Sequence, residues 1–402
     1  MPIYRAAWVL PITAPPLRDG WVAVERGLIT GVGADAPRES FDLGHVVILP
    51  ALVNAHTHLE LSYLRGAVAR TDRFLDWIRA VMAARRLYLD PRDPAILDAA
   101  RAAIGEARAS GTGLIGDISN TLVTVPLLQD AGMPARIFYE LLGFNVPDPV
   151  GRVADARAEA GAMGRTAPLV RISLAPHAPY SVSPGLFAAI REDLDAKPGD
   201  VSSVHLGESP EEVEFLQRGS GGWRDLLRDA GAWADTWRAP GCSPVTYLSD
   251  MGFLDARVLA VHAVQCSSDD LARLEALGTT VVSCPRSNRY VGVGDPPLDA
   301  FYAMGLAVAL GTDSLASVDD LNMFEELAAS RRLAPRVPAR DLLESATLCG
   351  ARALGFGGDF GSLDAGKQAS LIAVRLPESV GDVEEYLLSG IRPDAITWPD
   401  GG

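Results

Sequence analysis

The chain is short of the residues that would tie it to a disulfide framework, a membrane or a nucleic acid. It has four cysteines, Cys242, Cys266, Cys284 and Cys349, with no C-x-x-C pair among them. Such isolated positions suggest neither a disulfide scaffold nor a cysteine-held zinc, and read as reduced core thiols. Long apolar runs are missing too. Gly, Pro or a charge interrupts each one before the ~20 residues that a bilayer span needs. The opening MPIYRAAWVLPITAPP lacks the basic region and clean apolar run of an export signal. A cytoplasmic location without membrane attachment is the expectation. Positive charge is scarce: 36 Lys and Arg against 51 Asp and Glu give a net charge of -15. That balance repels a phosphate backbone, so a nucleic-acid polymer is excluded as a partner.

What remains is an ordinary globular composition. The 402 residues are 48% hydrophobic and 22% charged, enough to bury a large core. No repeat or low-complexity segment interrupts them. Residues 1–49 alternate short apolar runs such as WVAVERGLITGVGA with Gly, Pro and Asp turns, and the run GFGGDFGSLDAGKQASLIAVRL from Gly355 does the same. The two ends are therefore expected to meet in one small β-sandwich appendage, residues 1–49 plus 355–402. Residues 50–354 alternate differently. Brief runs rich in Val, Ile, Leu and Ala precede helix-like segments such as DPAILDAARAAIGEARAS. The strand candidates are ALVNAH, TGLIGD, RIFYE, RISLAPH, SSVHLGE, VLAVH, TVVSCP and AVALGTD. All are separated by more than the dozen or so residues that a parallel crossover needs. Eight such units predict an α/β fold of the (β/α)8 TIM type, whose active site is built from strand ends at the C-terminal face. A doubly wound open sheet is the alternative, but it would not bring the first and last strands together.

Each predicted strand ends in a residue capable of chemistry: His56 with His58, Asp117, Glu140, His177, His205 with Glu208, His262, Cys284 and Asp313. Five of the six histidines thus fall at the predicted mouth, and His45 alone is left to the appendage. In an extended segment residues i and i+2 share a face, so His56 and His58 can turn to one ion. Neutral imidazoles with one carboxylate and an open position for water make the usual catalytic zinc-type site. Asp313, ending the last strand beside the first in a closed barrel, is the best carboxylate candidate, although an Asp before Ser is otherwise a common cap or turn residue.

The segments VNAHTH, HLGE, LAVH, CPRSN and GTDS, in that order, with GSLDAGKQASLIAV after the barrel, resemble the amidohydrolase superfamily, in particular its nucleoside and nucleobase deaminases with one metal ion. The resemblance covers nearly the whole chain. It implies one divalent metal per chain held by His56, His58, His205 and Asp313, with zinc expected before iron or manganese. It also implies Glu208 as proton shuttle and His262 as polariser of the metal's water, with His177 contacting the substrate and Asp313 joining in catalysis. Superfamily members with two metals bridge them by a carbamylated lysine on the fourth strand. The only lysines here, Lys197 and Lys367, lie at no predicted strand end, so a mononuclear centre follows. The zinc deaminases that pair H-x-E with P-C-x-x-C are excluded by the absence of a P-C-x-x-C motif.

The expected reaction is hydrolytic deamination of a small purine nucleoside. The stretch HLGESPEEVEFLQRGSGGWRDLL, with CSPVTYL and CPRSN, is similar to deaminases of 6-amino-6-deoxyfutalosine in menaquinone biosynthesis, whose substrate carries a carboxyaryl tail. S-adenosylhomocysteine, adenosine and guanine deamination stay open, as do a non-deaminating amidohydrolase and a metal-free binding protein. Where S-adenosylhomocysteine-type members carry an acidic ribose contact after the tryptophan matching Trp77, this chain has Arg85 and Arg86. An arginine there suits a substrate carboxylate. Arg86 is taken as the first candidate, with Arg286 as its rival, Arg289 also open, and Asn288 as a further substrate contact.

Overall fold

All eight apolar segments are parallel strands in the computed structural model, which describes residues 2–35, 37–165 and 167–399. In chain order they span Leu52–Thr57, Thr112–Ser119, Ala135–Leu141, Val170–Pro176, Ser202–Leu206, Val258–His262, Thr280–Ser283 and Val308–Leu310. The first four pair side by side in one sheet and the last four in another. Their β-branched and aliphatic residues are buried on both faces, as a barrel wall covered by helices requires.

The two half-barrels meet at seams that carry the predicted site residues. At one, the His205 amide donates to the His177 carbonyl at 2.9 Å, and the Ser202 hydroxyl to the Leu174 carbonyl at 2.9 Å. At the other, the Asp313 amide donates to the His56 carbonyl at 3.0 Å. Asn54 adds a reciprocal pair there, donating to the Thr312 hydroxyl at 2.7 Å and accepting from the Thr312 amide at 3.0 Å. The (β/α)8 barrel closes through these bonds.

Many of the helices that return the chain to the next strand begin the same way. Asp93, Asp148, Ser183, Ser209 and Ser243 each accept a backbone N–H of the first turn through the side chain, with proline at the first helical position. Proline loses nothing there, because that N–H has no helical partner. Among the described residues no helix is long and apolar enough to cross a membrane.

Val53, Ala55, Leu114, Phe138, Val261 and Val282 share one apolar cluster inside the barrel, stoppered from below by Ala351, Leu354 and Phe356. Both chain ends pair beside it. Val46–Pro50 runs antiparallel to Leu371–Arg375 in a five-stranded sheet, and Ile3–Arg5 lies in a second sheet of four strands. Val9, Val22, Ile29, Ile48 and Leu371, drawn from both sheets, share an apolar cluster. His45 is hydrogen-bonded to the Pro377 carbonyl at 2.7 Å, among the terminal segments.

Gly311 tests the closure. A Cβ on this residue would lie 2.7 Å from the His56 carbonyl oxygen and 2.8 Å from the His56 amide nitrogen. Gly311→Ala must therefore push the last strand off the first, at a cost of about 1–3 kcal/mol for overpacking. Chemical denaturation should report that loss, and unchanged stability would contradict closure by this contact.

Candidate active site

Strand alternation alone does not aim these side chains inward. Val53 and Ala55 both face the interior cluster, so the next inward position would be 57. His56 also turns inward because the pairing with the second strand slips between Asn54 and Thr57. The sixth strand does the same: Val261 faces inward, and a left-handed φ of 75° at His262 turns the following ring inward as well. Asp313 has φ 61° at the end of the last strand. Positive φ is costly for residues with a Cβ and gathers where a site over-determines the backbone.

The result is a tight group of rings. Ligand-capable nitrogens of His56, His58 and His205 lie within 4.8 Å of one another. Asp313 Oδ1 faces two of them, 3.6 Å from His56 Nε2 and 3.4 Å from His58 Nε2. Its Oδ2 is held from behind by the Ser287 hydroxyl at 2.5 Å and the Ser317 hydroxyl at 3.2 Å. His205 donates its Nδ1–H to the His177 carbonyl at 3.0 Å, which leaves the Nε2 lone pair free. Burial, then the neighbouring rings, holds His205 down to about 4 and His58 well below the usual imidazole range. Both shifts favour the neutral form of the His58 and His205 rings, which offers a lone pair. Both ring nitrogens of the fully buried His56 lack a hydrogen-bond partner among the described residues. Buried polar atoms of this kind need a partner, and a divalent cation suits a donor set of three imidazoles and a carboxylate.

Glu208 and His262 face each other at 3.6 Å, Oε1 to Nε2. Burial first, then the charges of Asp313, Glu212 and Glu211, pushes Glu208 well above the usual carboxylate range, which favours its protonated form. Burial keeps His262 neutral. The Asn288 side-chain amide is hydrogen-bonded to His262 Nδ1 at 2.9 Å.

These groups form the floor of a cavity of about 560 Å³. Its walls are mostly apolar, with Phe74, Trp77, Val81, Phe144, Trp223 and Leu227 prominent, and Trp223 is stacked on Tyr180 at 3.7 Å. One corner is polar. Arg85, Arg86, Asn120, Glu140 and His177 line it. Arg85 donates to Asn120 Oδ1 at 3.3 Å and lies 3.9 Å from Glu60 Oε1. Asn120 in turn donates to Glu140 Oε2 at 2.9 Å.

Three of the residues read as candidate substrate contacts do not line this cavity. Arg286 does not line this cavity: its guanidinium donates to the fully buried Glu326 at 2.7 Å and to Asp320 at 2.8 Å. A buried carboxylate without a partner is costly, which fixes this arginine in its ion pair. Asn288 is fully buried behind His262 and orients that ring instead of meeting a ligand. Arg289 is clamped by Asp295 on the outside. Arg86 and His177 do reach the cavity. The sequence reading missed Asn120, Ser287, Ser317 and Glu212. Glu212 is fully buried, and its place in S-x-x-E over 209–212 is a capping-box signal that was available. The lysines fit expectation, Lys197 following a helix and Lys367 donating to the Phe360 carbonyl.

The amidohydrolase family profile matches residues 47–394. The chain is 34% identical over 335 residues, 79% of its length and 76% of the relative's, to an aminodeoxyfutalosine deaminase of Deinococcus radiodurans. It is 30% identical to a 5-methylthioadenosine/S-adenosylhomocysteine deaminase of Moorella thermoacetica, covering 96% of this chain and 89% of that one. Among solved structures, an adenosine deaminase from Xanthomonas campestris with bound zinc superposes with a TM-score of 0.83 at 28% identity, over 98% of this chain and 90% of that one.

The Asn288–His262 bond gives a direct check. Asn288→Ala leaves a buried imidazole nitrogen unpaired, which should lower unfolding stability by about 1–3 kcal/mol. Urea denaturation of the variant measures it, and wild-type stability would mean that the ring is held by other contacts.

Proposed function

Because this chain belongs to the amidohydrolase family and is a hydrolytic deaminase, we propose that it removes the exocyclic amino group of an adenine nucleoside derivative, with 6-amino-6-deoxyfutalosine as the substrate and futalosine plus ammonia as products, a step of menaquinone biosynthesis. The observation that carries this reading is the cavity's division of labour: polar, titratable groups on the floor, a long apolar wall, and arginines at one corner. A purine over the floor would leave an aryl tail against Phe74, Trp77 and Trp223, with Arg85 and Arg86 near its carboxylate. The Deinococcus relative supports the same substrate. The Moorella relative, matched over more of the chain, makes 5-methylthioadenosine or S-adenosylhomocysteine the second reading.

His56, His58, His205 and Asp313 would hold one divalent ion, zinc before iron or manganese, as the zinc in the Xanthomonas structure supports. Such an ion supplies Lewis acidity and brings the pKa of a water toward neutrality. The chain's own groups do the rest. Glu208, protonated before reaction, gives its proton to the ring nitrogen beside the amino-bearing carbon, which makes that carbon electrophilic. His262 and Asp313 orient the attacking water and accept its proton. The new C–O bond forms as the ring C=N electrons shift to the protonated nitrogen. The C–NH2 bond then breaks, its electron pair leaving with nitrogen. The proton held by His262 and Asp313 passes to the departing nitrogen and completes ammonia, while the new C–O bond becomes a carbonyl as its hydroxyl proton returns to Glu208. Asn288 keeps the His262 ring in place, and the apolar walls exclude bulk water. For the chain's organisation we propose a metal-dependent hydrolase barrel over 50–354 and a small β-rich domain from 1–49 plus 355–402.

Ammonia release across a nucleoside panel tests the substrate. Aminodeoxyfutalosine should show a higher kcat/KM than adenosine or S-adenosylhomocysteine, because binding energy from the remote tail positions the reacting ring. Arg85→Met and Arg86→Met separate the corner's role: the residue that meets the carboxylate should cost the tailed substrate about tenfold more than adenosine, the scale of one charge-assisted pair. Faster deamination of adenosine or S-adenosylhomocysteine would overturn the substrate, and equal losses on both substrates would make that arginine structural.

A further inference from the structure

Glu212 is a buried acid that the reaction above does not use. It is fully buried and absent from the cavity lining, on the helix Pro210–Arg218 that follows the fifth barrel strand. Ser209 caps this helix, accepting the Glu212 amide N–H at 3.3 Å. In an ordinary capping box the third helical residue would reach back to the amide of the cap itself. Here Oε1 accepts the Gly207 amide at 3.0 Å and Oε2 accepts the Glu208 amide at 2.9 Å. Two successive backbone N–H groups converge on one carboxylate, an anion-binding nest. The turn depends on glycine: Gly207 has φ 62°, and a Cβ there would meet Cys266 Sγ at 3.2 Å.

We infer that Glu212 is the positioning residue of this site, its carboxylate clamping the Gly207–Glu208 turn so that the Glu208 side chain is held against His262 and the cavity floor. The inference rests on the reading of Glu208 as the proton-transferring acid. Clamped at both oxygens, the turn has no freedom to swing Glu208 away from the ring nitrogen it must protonate. Such preorganisation acts on kcat and not on substrate affinity, since Glu212 touches no cavity surface.

Glu212→Gln tests this, since an amide cannot accept both N–H bonds. Ammonia release is followed with the adenine nucleoside turned over fastest, alongside metal content and amide hydrogen exchange of the metal-loaded enzyme. The expected result is a kcat lowered by about tenfold or more, the scale of one lost charge-assisted bond, with KM and metal content unchanged. Exchange at Gly207 and Glu208 should be faster, a readout that needs no turnover. In a Glu208→Gln background the same substitution should cost nothing further, because the group it positions is gone. Glu212→Asp, which keeps the charge and shortens the reach, is the second variant should the first fail to fold, and it should show the same pattern. Wild-type kcat with only a lowered Tm would reduce Glu212 to a helix cap and overturn the inference. So would lost metal or a loss that adds fully to that of Glu208→Gln. If Glu208→Gln itself turned over normally, the reading of Glu208 would have failed instead, and the two failures are told apart by that single variant.

Discussion

The hydrogen bond from the Asp313 amide to the His56 carbonyl is the constraint on which the rest depends. It joins the last barrel strand to the first, and it places Asp313 Oδ1 against the His56 and His58 rings. The opposite seam repeats the arrangement, with the His205 amide bonded to the His177 carbonyl and the His205 ring bonded to the same oxygen. Fold closure and site assembly are therefore one event. A parallel barrel gathers non-local strand ends only on closing, and this chain puts its ligand-capable residues at both closing points.

The site achieves its chemistry by withholding water from ionisable groups. Burial favours the neutral form of His58, His205 and His262 and the protonated form of Glu208. Each state is the one its proposed task requires, a lone pair for a cation and a proton for a ring nitrogen. The same apolar walls that impose these states form the long arm of the cavity. Groups behind the site hold it in register: Ser287 and Ser317 on Asp313, Asn288 on His262, and Glu212 on the Glu208 turn.

Much of this was legible in the residues. All eight strands were found because each is a short apolar run followed closely by a residue capable of chemistry, and the barrel followed from the spacing of those residues. The H-x-H pair was legible as a pair, but the phase slip that turns His56 inward was not, since it arises from pairing with a strand far along the chain. The same holds for His262, whose positive φ no local pattern announces. The places of Arg286 and Asn288 were not legible, because only tertiary structure reveals that Glu326 and His262 claim them. Glu212 carried a local signal in its capping spacing, obscured by the run of acids around it.

The account's central claim is a single-ion hydrolytic site at the barrel mouth. Titrating zinc into chelator-stripped protein while following ammonia release from an adenine nucleoside tests it directly. Activity should rise in proportion to added metal and saturate at one ion per chain. Saturation at two ions per chain, or undiminished ammonia release from the stripped protein, would contradict it.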